Sequence, residues 1–208
     1  FFLMFFMVEE LADAFSPVLM QGNLIQSNRD VRRILPMHNT SLKGYWRFEG
    51  QYLDDSGSNK TAVPQGSPSL TSGGSVGGAV SFNGTSSYLN FASSPLTSAT
   101  NISISLWFKQ SSYAATVFSH QGVTIGCNPS CQQFGTDSAG HLWAAVGCAT
   151  GLVSTDTYAI NVWNHAVFTK DSSSNVKLYL NGKLVAGPTN NNGGQSLSTG
   201  NDLIGVGW

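Results

Sequence analysis

The sequence is poor in charge, in glutamate, in cysteine and in long apolar runs, and each shortage excludes something. Only 10% of the 208 residues are charged, and the formal net charge is −1. Binding nucleic acid takes a basic stripe that neutralises phosphates, so nucleic acid is not an expected partner. Arg29, Arg32 and Arg33 do cluster, but alone, and they read as a solvated helix face. Glutamate occurs only at Glu9, Glu10 and Glu49. Acid–base hydrolysis of glycosides needs two carboxylates flanking the cleaved bond. From Gly44 onward the acids are Glu49, Asp54, Asp55, Asp137, Asp156, Asp171 and Asp202, and the one close pair, Asp54-Asp55, falls in a turn. His38, His120, His141 and His165 have no evident Ser or Cys partner; His165, beside Trp163, reads as a packed or hydrogen-bonded residue. No P-loop and no dinucleotide fingerprint is present. An enzyme is not expected.

The cysteines are Cys127, Cys131 and Cys148, with no histidine nearby at ligand spacing, which makes a poor zinc site. One disulfide and an oxidising location are expected, with Cys127–Cys131 or a pairing of either with Cys148 left open. The apolar run at the start, Phe1 to Val8, meets Glu9-Glu10 and then Asp13. It falls well short of the roughly 20 apolar residues of a membrane span.

What the chain does have is serine, threonine, asparagine and glycine, dominant from Gly44 on, as in secreted and cell-surface β proteins. Asn39, Asn59, Asn83 and Asn101 begin N-glycosylation sequons. Three regions separate. Residues 1–35 read as helix, bent near Pro17, with a capped turn at 27–35 ended by Pro36. Residues 36–43 form a linker. Residues 44–208 carry short alternating runs with turn signals between them: 44–48, 79–82, 88–91, 102–109, 116–120, 141–146, 164–170 and 176–185. Asn181-Gly182 inside the last run signals a type I′ hairpin, so 176–180 and 183–186 should pair antiparallel. The expected fold is mainly β: a two-sheet antiparallel sandwich with an N-terminal helical extension.

"LKGYWRFEG", "GGAVSFNGTSSYLNF", "NISISLWFKQ" and "NVWNHAVFTKDSSSNVKLYLNGKLV" follow one another in an order that resembles the laminin-G-like, concanavalin-A-like jelly roll. The resemblance implies that fold over 44–208; read by themselves, the same blocks offer Trp46, Phe48, Phe82, Trp107 and Trp163 as large core groups. It implies less about function, because this jelly roll hosts lectins, adhesion modules, sugar-binding appendages and glycoside hydrolases. Hydrolases on this fold typically carry a Glu-x-Asp-x-x-Glu strand, which this chain lacks.

Two kinds of site are expected. In "LDDSGSNKT" the oxygens of Asp54, Asp55 and Asn59 form a candidate calcium site, a hard cation wanting several oxygens, with Asx turns as the plainer reading. Sugar binding calls for exposed aromatics, with Tyr113, Trp143 and Tyr158 as candidates, and the loop 127–135 as a stapled rim. The start of the chain also resembles a type IV pilin, in beginning with Phe1, breaking at "SPVLMQG" and continuing with "NRDVRRI", although position 5 is Phe5 where that family carries Glu. On that resemblance Phe1, Phe2, Leu3, Met4, Phe5, Phe6, Met7 and Val8 would bury themselves against copies of the same chain. The first functional expectation is therefore a self-associating subunit of an extracellular filament that displays an adhesive head. The alternative is a secreted or surface lectin-type adhesin that binds glycan, with calcium as its possible cofactor.

Overall fold

The computed structural model describes residues 2–9, 41–91, 96, 99–114, 116–121, 132–146, 151–190 and 202–204. They form fifteen strands: β1 Phe2–Glu9, β2 Leu42–Trp46, β3 Val63–Gln65, β4 Ser69–Thr71, β5 Ala79–Ser81, β6 Tyr88–Phe91, β7 Ile102–Lys109, β8 Thr116–Gln121, β9 Gln132–Thr136, β10 His141–Val146, β11 Leu152–Thr157, β12 Asn164–Lys170, β13 Asn175–Leu180, β14 Lys183–Asn190 and β15 Asp202–Ile204. One sheet (sheet A) runs β14-β13-β12-β7-β1-β5-β4, with β2 also on β1; the other (sheet B) runs β11-β10-β9-β8-β15-β6-β3. Every pairing is antiparallel. The fold is the expected antiparallel sandwich of mainly β character.

The alternating runs become half-buried strands because side chains alternate between faces with period two. In β7 Ile102, Ile104, Leu106 and Phe108 are fully buried while the residues between them are half-buried. The same pattern places Leu142 and Ala144 of β10, Ala166 and Phe168 of β12, and Val176 and Leu178 of β13 in the core. Aromatic rings bridge the sheets: Phe118 of β8 lies 4.9 Å from Phe108, and Phe134 of β9 lies 5.6 Å from Phe168. Asn181 and Gly182 take φ of 51° and 82°, as a type I′ turn requires, and close the β13–β14 hairpin.

The chain start departs from expectation. Residues 2–9 are a strand, where a helix over 1–35 was expected. Strand β1 pairs along its length with β7, and its other edge is shared by β5 and β2. The physical reason lies in the run itself. Eight apolar residues rich in Phe suit a buried strand as well as a helix, and periodicity alone does not separate the two. In the middle of a sheet such a run gains backbone partners on both edges. Phe1 and residues 10–40, including the expected bend at Pro17, lie outside the described residues. Strand β2 begins at Leu42, inside the stretch 36–43 expected as a linker, of which residues 36–40 lie outside the described residues.

The outer face of sheet A carries His165, whose Nε2 lies 2.8 Å from the Ser105 hydroxyl and whose ring sits 5.1 Å from that of Trp107; Trp107 and Trp163, expected in the core, are half-buried instead. Burial holds this imidazole below its ordinary value of 6.5. The unfolded chain takes up a proton near that value and the folded chain resists it. Stability therefore falls as pH drops from about 6.5 towards the folded value. The melting temperature is expected to decline between pH 7.5 and 5.5, and His165→Gln should flatten that decline. An identical slope in the variant would contradict this assignment.

Candidate functional site

The residues proposed for calcium are committed to holding a turn. The Asp54 carboxylate accepts hydrogen bonds from the backbone N–H of Tyr45 (2.9 Å), Ser56 (2.8 Å) and Lys60 (2.8 Å). Asp55 takes a bidentate pair from Arg47, at 2.9 and 3.1 Å. Asn59 adopts φ of 56° on the surface. This is Asx-turn chemistry joined to an ion pair. Among the described residues no three His, Cys, Asp or Glu side chains gather as metal ligands. Cys127, Cys131 and Cys148 lie outside the described residues, as does most of the 127–135 loop.

Of the three aromatic candidates, one is removed. Tyr158 is 1% exposed and belongs to the core, edge-on to Phe108 at 5.1 Å. Tyr113 is 45% exposed and stands edge-on to Tyr158 at 5.2 Å. Its ring lies against Gly140, where an added Cβ would approach it to 2.6 Å, and Gly140 itself takes φ of 92°.

Trp143 is the candidate the structure places best. Strand β10 turns Leu142, Ala144 and Val146 inward, so His141, Trp143 and Ala145 face away from the core. The indole is half-buried, and its Nε1 donates to the Thr136 carbonyl at 2.9 Å, which fixes the ring. Its cross-strand neighbours are Gly135, which has no side chain, and Val153, which is 49% exposed. The ring is therefore only partly covered, and the exposed Val153 stands beside it.

The same strand end carries a polar pair that was not foreseen. Asp137 opens the tight turn before β10, and its Oδ1 accepts from the N–H of Ala139 (2.9 Å) and His141 (2.8 Å). Its Oδ2 lies 3.3 Å from His141 Nδ1. Partial burial works against ionisation of Asp137, but these backbone N–H groups and the imidazole outweigh it and hold the carboxyl below its ordinary value. The visible signal was Asp four residues before His across an Ala-Gly turn. A carboxylate acceptor, an imidazole and a fixed indole thus share one strand end, and Thr157 of β11, the cross-strand partner of His141, stands exposed beside them, while the Thr155 hydroxyl is held by the Val185 carbonyl at 3.1 Å. This set suits a ligand with hydroxyls along its edge and an apolar face. Two further carboxylates sit in their own ion pair or turn: Asp156 with Lys183 at 2.7 Å, and Asp171 with Asn175 at 2.8 Å.

A family model described as the concanavalin A-like lectin/glucanases superfamily, of laminin G type, matches residues 82–208. Comparison with curated proteins gives no match. Among solved structures, domain 4 of AbnA, a GH43 extracellular arabinanase from Geobacillus stearothermophilus captured with arabinotriose, superposes with a TM-score of 0.62 at 20% identity, over 77% of this chain and 81% of that one. The botulinum neurotoxin serotype C1 binding domain superposes with a TM-score of 0.53 at 16% identity, over 74% of this chain and 40% of that one. A further botulinum neurotoxin type C structure, whose cell entry depends on two ganglioside molecules, gives 0.52 at 16% identity over the same shares. At such identities the likeness is one of fold.

Proposed function

The chain belongs to the concanavalin A-like lectin/glucanases superfamily, and we propose that it binds glycan without cleaving it. The observation that carries this reading is the Trp143 surface: a fixed, half-buried indole beside the Asp137–His141 pair and the exposed Thr157 of β11. Aromatic rings present a large rigid apolar face at little conformational cost, and a charged acceptor strengthens hydrogen bonds from ligand hydroxyls. Structural relatives captured with arabinotriose or tied to gangliosides support a carbohydrate as the ligand class. An extracellular or cell-surface location goes with this reading. Hydrolysis is disfavoured because, among the carboxylates whose side chains are described, Asp156 and Asp171 are held in their own ion pair and turn, and Glu49 and Asp55 share Arg47.

The filament reading drew on an apolar N-terminal helix. With residues 2–9 paired inside sheet A, that support is weaker than the support for glycan binding. Calcium dependence is likewise not expected, since Asp54 and Asp55 already hold the turn.

The experiment is a glycan array probed with the full chain, with and without chelator. Binding that survives chelation and falls at least about tenfold in Trp143→Ala is the expected result, equivalent to roughly 1.4 kcal/mol. Binding unchanged in Trp143→Ala would contradict the assignment of the site.

A further inference from the structure

Glu49 is the only glutamate from Gly44 onward, and the backbone around it is bent in an uncommon way. Phe48 takes φ of 54° and Gly50 takes φ of 75°. Positive φ at a bulky residue persists only where the surroundings impose it, and such outliers cluster at binding sites. Here the Phe48 ring is 1% exposed in the core and meets Tyr52 edge-on at 6.4 Å, so the ring is anchored while the next residue turns outward.

Glu49 then lines a cleft of about 490 Å³ with Leu70, Thr71, Ser72, Gly77 and Gly78, a volume within the usual range for small-molecule sites. Gly78 is required by close approach to backbone, and Gly77 by its positive φ. A Cβ on Gly78 would fall 2.1 Å from the Phe48 carbonyl oxygen, and one on Gly77, at φ of 79°, would fall 2.7 Å from Glu49 Oε1. The wall beside the carboxylate is therefore backbone. Arg47 Nη1 lies 3.7 Å from Glu49 Oε2 while its Nε and Nη2 hold Asp55, so one cation faces two carboxylates and the cluster stays net negative. A carboxylate so placed accepts strong hydrogen bonds from the hydroxyls of a neutral ligand. The hydroxyls of Thr71 and Ser72 add donors and acceptors, and Leu70 adds an apolar patch.

We propose that this cleft, built from strand β4 of sheet A and the segments around Glu49 and Gly77, is a second binding site that holds one neutral, hydroxyl-rich unit of a saccharide, with Glu49 as the hydroxyl acceptor. Its ligand class rests on the glycan-binding reading; its position does not involve Trp143.

The test uses isotope-labelled full chain carrying Trp143→Ala, titrated separately with the methyl glycosides of arabinofuranose, galactopyranose and glucopyranose, and with calcium chloride alone. At least one glycoside should shift the amide resonances of Gly50, Gly77 and Gly78. Adding Glu49→Gln should weaken that glycoside about tenfold, and adding Thr71→Val a few-fold. If glycosides leave those amides unmoved, or Glu49→Gln changes nothing, while the wild-type chain still binds the array, this inference fails and the glycan reading stands. If neither glycoside nor array binds, both fail. If calcium chloride shifts the same amides and glycosides do not, the hydroxyl assignment is overturned.

Discussion

Trp46→Ala is expected to lower the free energy of unfolding by about 4 kcal/mol, within the range for removing a buried tryptophan. The indole is fully buried and sits 4.7 Å from Phe91, edge-on, so it joins β2 of sheet A to β6 of sheet B. Its Nε1 donates to the Lys60 carbonyl at 2.9 Å, which ties the 53–61 turn to the core. It also covers Gly44, where an added Cβ would meet the ring at 2.1 Å. Truncation leaves a cavity, an unpaired carbonyl and an uncovered glycine together. Domains of this size have about 5–15 kcal/mol in total, so the variant should be close to unfolding at 37 °C. Trp46→Phe keeps most of the volume and should cost about half as much. Chemical denaturation with equal m-values measures both, and a loss under about 1 kcal/mol for Trp46→Ala would show that the sandwich does not depend on this bridge.

Asp54→Ala is expected to cost about 3 kcal/mol, because three backbone N–H groups lose one charged acceptor; individual hydrogen bonds to charged groups contribute about 1.5–3 kcal/mol, and partial exposure lets water replace some of that. Asp54→Asn keeps the Oδ1 acceptor for Tyr45 and Ser56 and loses the one for Lys60, so it should fall between wild type and alanine. The same measurement decides the role of the turn. If Asp54 is structural, the wild-type melting temperature is the same with calcium and with chelator. A large calcium-dependent rise that vanishes in Asp54→Ala would restore the metal site.

The strands most legible in the sequence are those with one buried and one open face. Strands β7, β10 and β12 start and end where the alternation of Ile, Leu, Phe and Ala with polar residues placed them. The β13–β14 turn was legible because Asn-Gly tolerates the positive φ that both residues adopt. Strand β1 was misread because an unbroken apolar run has no period to read. Strands β3, β4 and β15 are three residues each, too short to show one. In β11 only Ser154 is buried, so apolar alternation never appears.

The sites follow the same logic. Trp143 was visible as a large aromatic in an alternating run, at an outward position. Tyr158 looked equivalent, but it lies after the last residue of β11, where its ring folds back onto Phe108 and its hydroxyl accepts from the Ala114 N–H at 3.4 Å. The Asp137–His141 pair depends on a turn closing through Gly140, and the Glu49 cleft depends on segments about thirty residues apart meeting at Gly77 and Gly78. The scarcity of glutamate marked Glu49, but only the bend at Phe48 shows which way it faces.

The central claim, glycan binding at the Trp143 surface, is tested most directly by isothermal titration of the full chain with the best array ligand, beside Trp143→Ala and His141→Ala. Saturable binding in the wild type, lost at least about tenfold in Trp143→Ala and weakened in His141→Ala with both variants folded, is the result predicted. Equal affinity in all three, or no saturable binding of any array glycan by the wild-type chain, would contradict it.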